Sequence, residues 1–429
     1  MHIYLNAATY TPTAALTNLY NSSYYGDAGT GAFYGVTVTA DGGAGYSSVA
    51  DASTAIQTAA TIAGVPLDHI LYVDMASKLA GVYQTTALTW DGLKAQLTAP
   101  NLLVFMPAGM TREADNFAYA EPGGTFKSCR NIIITDKQPF YSPYNIRIDA
   151  ANYATYAREL SGSNTQARKA TLMLPFTLTL TDGHHANRSN ACAFDVYTMN
   201  ATNCLSEAPD QKEGYRYNSL AYFSKYAGTT TEANKPYMVL VDDAYTPADG
   251  TSFVVEQYGS DIMPTTAHLL QTSLEGETAT GTACGTTYTF SNYGTYCGEQ
   301  VTQVFYFANN KYYSSLNLTT SDKKVNVRPF RSYYAFTSGD KAKMATFDIV
   351  FGVNDTDVTG IGVVKSTSDL AVTTGNGTIT FFARTARTVC VYDSGGLRVA
   401  SVTLKDGDTR TLSVAPGLYV INGTKIIVK

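Results

Sequence analysis

Apolar and polar residues alternate in short runs along most of the chain, and clusters of Asp, Gly, Asn and Pro separate the runs. A period of two puts one face of a strand into a core and leaves the other in solvent. TLMLPFTLTL at 171–180, YMVLV at 237–241 and SFVVEQ at 252–257 read as short strand runs, as do 303–308 and 347–353. NLLVFMPAG and NIIITD are more continuously apolar and read as buried strands, each opened by an Asn. Short strands punctuated by turns are the pattern of antiparallel sandwiches. The first hundred residues are more mixed. GAFYGVTVTA and ILYVDMA read as strands, and between them Val49, Ala52, Ile56, Ala59 and Ile62 make a helical stripe. A second short helix is expected over 89–97, with Trp90, Leu93 and Leu97 on one face and Pro100 closing it.

The polar stretch NDTDVTGIG at 354–362 interrupts the periodicity and reads as a domain boundary. About seven strands in roughly seventy residues follow it, enough for a small immunoglobulin-like sandwich. They are expected at 371–373, 378–383, 388–392, 397–404, 409–414, 418–421 and 424–428. The last two flank Asn422-Gly423, the strongest short hairpin signal, because a type I′ turn needs positive φ at both central residues. A two-residue turn sets Ile421 opposite Thr424, Tyr419 opposite Ile426 and Leu418 opposite Ile427. One face then holds Tyr419, Ile421, Thr424, Ile426 and Val428, so the hairpin must bury it in a larger sheet. The fold class is therefore all-β with a minor helix near the N-terminus. Three regions result: a mixed Ala/Thr/Gly/Tyr-rich region at 1–99, β-sandwich text at 100–357, and the small sandwich at 358–429.

Composition narrows the setting. Charged residues are only 15% of the chain, and Thr, Ser, Asn, Gly and 32 Tyr fill the difference. That mixture suits strands with uncharged polar faces and disfavours long exposed helices. A formal charge of −5 excludes the basic footprint that nucleic-acid binding needs. No apolar run is long enough for a transmembrane segment. The opening MHIYLNAATY lacks a basic region followed by an apolar one, so a secreted protein is expected here in its mature form, leader removed.

The C-terminal text VCVYDSGGLRVASVTL followed by SVAPGLYVINGTKIIVK resembles the sorting domain of type IX secretion cargo, or its shortened relatives on Bacteroidota surface proteins. NIIITDKQPFYSP, ATLMLPF, ANKPY and RPFRSYYAF, with the linker Thr359–Gly360–Ile361, are also similar to extracellular proteins of that lineage. The resemblance covers about residues 100–429 and implies export to the cell surface or beyond; it implies no reaction. The lineage's O-glycosylation signal is met only by near misses, such as Asp355-Thr356-Asp357 and Asp393-Ser394-Gly395, so that modification is not expected.

Candidate chemistry is sparse. His184-His185 is the one histidine pair, and neighbours on a strand point to opposite faces, which makes joint chelation awkward. No zincin, nucleophile-elbow or phosphate-loop pattern occurs. Asn354, Asp355 and Asp357 offer alternate oxygens at the linker, as a calcium would want, against the plainer reading of solvated turn residues. Cys192 with Cys204, and Cys284 with Cys297, are each near enough in sequence for a local disulfide. Tyr24-Tyr25, Tyr141 with Tyr144, Tyr312-Tyr313 and Tyr333-Tyr334 set rings side by side, and one ring of each adjacent strand pair is expected to face outward. Exposed tyrosines suit contact with proteins or sugars, although Tyr is also simply a good strand former. The expected function is a non-catalytic extracellular or cell-surface protein, structural or adhesive, that self-assembles into a fibre or surface layer by strand addition. Its expected partners are itself, host or bacterial surface proteins, or glycans. The alternative is a carbohydrate-binding surface module.

Overall fold

The computed structural model describes residues 12–25, 29–40, 49–75, 97–106, 114–121, 127–159, 168–186, 193–207, 217–241, 252–265, 278–283, 285–339, 344–352, 370–375, 377–383, 385–393, 396–421 and 424–428. The chain forms two compact units, Met1–Asn354 and Asp355–Lys429. Their boundary lies at the start of the polar stretch expected to be a linker.

The first unit opens with β1 (Pro12–Tyr25), β2 (Gly29–Ala40), α1 (Val49–Ala63) and β3 (Ile70–Asp74). Next come β4 (Leu103–Met106), β5 (Phe117–Ala120), β6 (Lys127–Cys129), β7 (Ile132–Thr135), β8 (Ile146–Ile148) and β9 (Tyr153–Glu159). One sheet runs in the order β1-β2-β3-β4-β5-β6-β8. Its centre is parallel, β2 to β3 to β4 to β5. Parallel neighbours need a crossover, and α1 supplies the one between β2 and β3. The apolar runs ILYVD and LVFM suit such a place because both faces of the sheet are covered. Leu103 and Phe105 enter one core and Val104 and Met106 the other. Because β3 and β4 are hydrogen-bonded neighbours, the division expected at 99/100 is not a structural boundary.

In α1 the buried face is Ser53, Ile56 and Ala60, while Ile62 is 83% exposed. Six residues turn a helix through about 240°, so Ile56 and Ile62 cannot share a face. Residues 89–96 of the second expected helix lie outside the described residues.

Three asparagines at equal spacing, Asn101, Asn116 and Asn131, open β4, β5 and β7. Asn101 Oδ1 accepts from Thr135 N–H at 2.7 Å and its Nδ2 donates to Thr135 O at 3.0 Å. Asn116 treats Ile133 in the same way, so two side-chain amides seal β7 where a strand would otherwise pair. On its other side β7 pairs with β9, which pairs with the later strand Ser252–Tyr258.

The remainder of the unit is built on one long sheet. Its strands are β10 (Arg168–Met173), β11 (His184–Ala186), β12 (Ala193–Met199), β13 (Leu205–Glu207), β14 (Tyr217–Lys225) and β15 (Pro236–Val241). After β16 (Ser252–Tyr258) come β17 (Thr278–Ala283), β18 (Thr286–Thr295), β19 (Glu299–Thr302), β20 (Val304–Ala308) and β21 (Lys311–Ser314). β22 (Lys324–Val327), β23 (Arg331–Ser338) and β24 (Met344–Phe351) complete the unit, and of all these strands β16, β19 and β22 lie outside the long sheet. The main order is β10-β15-β12-β14-β24-β21-β20-β23-β18-β17, with β13 also paired to β14. Cys204 N–H donates to Thr280 O, and Thr280 N–H to Ala201 O, so β17 returns to the segment that leads into β13. The sheet thereby curls into a barrel around Phe223, Phe290, Phe305, Tyr312, Tyr334 and Phe347. β19 and β22 form a separate two-stranded ribbon.

The second unit contains β25 (Leu370–Gly375), β26 (Thr378–Ala383), β27 (Arg387–Asp393), β28 (Arg398–Leu404), β29 (Thr409–Ser413), β30 (Gly417–Ile421) and β31 (Thr424–Val428). They make a two-sheet sandwich, β25-β26-β29 against β28-β27-β30-β31, as the turn spacing predicts. The closing hairpin has the expected register, Ile421 opposite Thr424 and Tyr419 opposite Ile426. Tyr419, Ile421, Ile426 and Val428 are buried in its core, and Leu418 is exposed.

Candidate functional site

On the outer side of the barrel, tyrosines occupy directly paired positions on four neighbouring strands. Tyr313 on β21 faces Tyr306 on β20, Tyr306 faces Tyr333 on β23, and Tyr333 faces Tyr293 on β18. Ring centroids are 6.0 Å apart for Tyr306–Tyr313 and 6.0 Å for Tyr293–Tyr333. The row exists because side chains alternate across each strand: Tyr312 and Tyr334 fill the barrel while Tyr313 and Tyr333 point away from it.

The two ends of the row differ. The β19–β22 ribbon lays Val301 and Val327 over Tyr333 and Tyr293, and Tyr333 is 0% exposed. Tyr306 and Tyr313 are half-buried and face outward. Lys311, two residues before Tyr313, is paired with Asp348 at 2.8 Å. Thr346, opposite Tyr313, donates to Asn218 Oδ1 at 2.7 Å. The open end therefore combines two aromatic faces with a cation, a carboxylate, a hydroxyl and an amide.

Beneath the covered end, Tyr333 OH donates to Glu299 Oε2 at 3.0 Å, and among the described residues Glu299 Oε1 has no hydrogen-bond partner. Burial raises the Glu299 carboxyl to about 7, against the lowering effect of the Tyr333 and Thr295 hydroxyls. Burial and the adjacent Glu299 likewise push the Tyr333 phenol up.

Not every sequence candidate is available for contact. Tyr312 and Tyr334 are buried in the barrel, and Tyr333 is buried under the ribbon, so the outward ring expected of Tyr333-Tyr334 is covered. Tyr141 is buried and stacks on Tyr72 at 5.7 Å. Tyr144 OH donates to Asp74 Oδ2 at 2.6 Å, which makes these rings supports for β3. Tyr24 and Tyr25 end β1, and their side chains lie outside the described residues, as do Asn354, Asp355 and Asp357. Cys204 is a free buried thiol that burial pushes up to about 12. Cys297 is buried too, and the partners expected for them, Cys192 and Cys284, are outside the described residues.

Tyr293 and Tyr306 were not singled out from the sequence. A signal for Tyr306 was present: Asn309 and Asn310 both have positive φ, and a two-residue turn there sets Tyr306 opposite Tyr313. Tyr293 had no such signal, because β18 and β23 are separated by four other strands in the chain.

The other polar clusters serve the fold. His184 Nδ1 lies 2.9 Å from Asp195 Oδ1, whereas His185 is buried on the opposite face with Nδ1 3.0 Å from Thr179 O. Arg331 makes a two-pronged pair with Asp136, at 2.8 and 2.7 Å, and also donates to Tyr156 OH. Burial works against the Asp136 carboxylate, but the Arg331 hydrogen bonds and charge hold it below its ordinary value.

No family model matches the chain, and no curated protein matches it. A solved structure described as "Biofilm associated protein - BSP domain" is 11% identical with a TM-score of 0.13. That match covers 65% of this chain and 66% of the other, just under two thirds of its length. At that score the likeness says nothing about fold or function.

Proposed function

We propose that the protein is a non-catalytic structural and adhesive protein of the outer cell surface or the extracellular space. The observation that carries this reading is the open end of the tyrosine row, Tyr306 and Tyr313, held on a barrel with an aromatic core. Tyrosines fixed by a sheet give contact area at low entropic cost, which suits adhesion. The C-terminal sandwich, with its likeness in sequence to type IX sorting domains, is the part that would direct export. The reading is tested on cells: antibody labelling of intact cells should detect the protein, and deleting its gene should reduce attachment. A signal seen only after lysis would overturn it.

The carbohydrate-binding alternative is favoured by one specific feature, the Lys311–Asp348 pair and Thr346 beside Tyr313. Those groups supply hydrogen bonds around an aromatic platform. A glycan array with no signal from the purified protein removes this alternative and leaves protein contact.

A further inference from the structure

We infer that Tyr153 and Tyr258 form an oxidative cross-linking site, whose rings are joined carbon to carbon by hydrogen peroxide acting through a haem peroxidase, stapling β16 to β9. The two residues lie directly opposite each other on these strands, with ring centroids 5.4 Å apart and planes at 54°. The next pair along the ladder, Asn152 and Gly259, is hydrogen-bonded, Gly259 N–H donating to Asn152 O at 3.1 Å. Antiparallel pairs alternate in type. Tyr153 and Tyr258 are therefore a non-hydrogen-bonded pair, in which Cα atoms come within about 4.5 Å and side chains lie closest.

The backbone holds the rings in that relation. Tyr153 N–H donates to Asn131 Oδ1 at 3.1 Å. Gly259, at φ 61, packs so tightly that a Cβ there would stand 3.2 Å from Ala150 Cα. Ala154, Tyr156, Phe253 and Val255 fill the core, which turns Tyr153 and Tyr258 to the outer face, where both are half-buried. An oxidant reaches both phenols there. In the other close tyrosine pairs among the described residues at least one ring is buried, except in Tyr306–Tyr313, whose centroids are 6.0 Å apart.

The reaction takes one electron and one proton from each phenol. The two phenoxyl radicals couple at carbons ortho to their oxygens, forming one C–C bond, and the two ortho hydrogens pass to the oxygens to restore both phenols. The electrons and protons removed reduce one hydrogen peroxide to two waters. Fixed neighbours present each other at an effective concentration far above that of a ring on another molecule, so coupling stays within the chain. Strands β10 to β15 lie between the two tyrosines in the sequence, so the link closes a long loop and restrains the unfolded chain as a disulfide would.

Treating the purified full chain, at low concentration, with a plant haem peroxidase and hydrogen peroxide tests the site. The monomer fraction should lose the mass of two hydrogens and gain dityrosine fluorescence. Protease digests should contain peptides joined through Tyr153 and Tyr258, and the urea midpoint should rise. Tyr153→Phe and Tyr258→Phe should each abolish the joined peptides and the rise, with far-UV circular dichroism unchanged. Tyr392→Phe, at an exposed position of the second unit, should retain both. Consumption of the peroxide without those joined peptides overturns the inference, as do links confined to other tyrosines or to separate copies. Linked protein with an unmoved urea midpoint overturns the staple.

Discussion

Asn116 holds Ile133 by both of its backbone groups: Oδ1 accepts the N–H at 2.7 Å and Nδ2 donates to the C=O at 3.0 Å. A side chain thereby does what one residue of a neighbouring strand would do. Asn116 itself sits at φ 66, a conformation that Asn tolerates better than most residues. Asn116→Ala should lower stability by about 2–4 kcal/mol, from two lost bonds plus backbone strain. Asn116→Gly removes the bonds without the strain and should fall short of that by about 1 kcal/mol. Urea unfolding of both variants separates the two parts, and equal losses would show that the conformation contributes little.

Glu299 gives stability a pH dependence of unusual sign for a carboxyl. Its folded value of about 7 lies above the ordinary 4.5, so the folded state keeps a proton that the unfolded chain releases. Stability should therefore be undiminished below 4.5, fall as pH rises from there to about 7, and stay reduced above it. The full loss is about 3 kcal/mol. Glu299→Gln should remove that slope, and thermal melts at closely spaced pH values will show it.

Asp136 has the opposite sign. Its carboxyl is held below 3.8, so its contribution is present above that value and is lost as pH falls through the folded value. The buried Arg158 also feels the Asp136 charge, so Asp136→Asn leaves both it and Arg331 without that counter-charge and should cost about 3–5 kcal/mol. Acid-induced unfolding of the variant should begin from lower stability and show a shallower dependence on pH.

Truncating Tyr306 and Tyr313 to Ala should cost about 1–2 kcal/mol together, because both rings are only half-buried. Attachment of cells carrying the double variant should nevertheless fall to the level of a deletion strain. Equal attachment by variant and parent would place the contact elsewhere.

Ile426 and Ile427 are neighbours on β31 with different surroundings, one 1% exposed and the other half-buried. Ile426→Ala should cost about 2–5 kcal/mol and Ile427→Ala well under half as much. Unfolding of the second unit, followed by the exchange of its amides, tests the difference.

Much of this was legible in local text. Where a turn lies between two strands, the chain itself sets which residues face each other. Asn422-Gly423 gave the closing hairpin's register, and the spacing of Gly and Asp turns gave all seven strands of the second unit. Adjacent tyrosines such as Tyr312 and Tyr313 had to lie on opposite faces, as they do. The α1 stripe was misplaced because Ala is frequent on every side of that helix, so apolar spacing did not mark the buried face. Ser53 is buried there although it is polar.

By itself the sequence determined local geometry: strand identity, hairpin register and the alternation of faces. Tertiary structure alone decided which face is free. Tyr333 lost its exposure to a ribbon built from β19 and β22, and the tyrosine row needed β18, β20, β21 and β23 brought together. Parallel pairing of β2 to β5, and the amide seals on β7, arise from partners whose positions no local pattern encodes. Burial is a property of what arrives from elsewhere in the chain, and a residue's own neighbours do not carry that information.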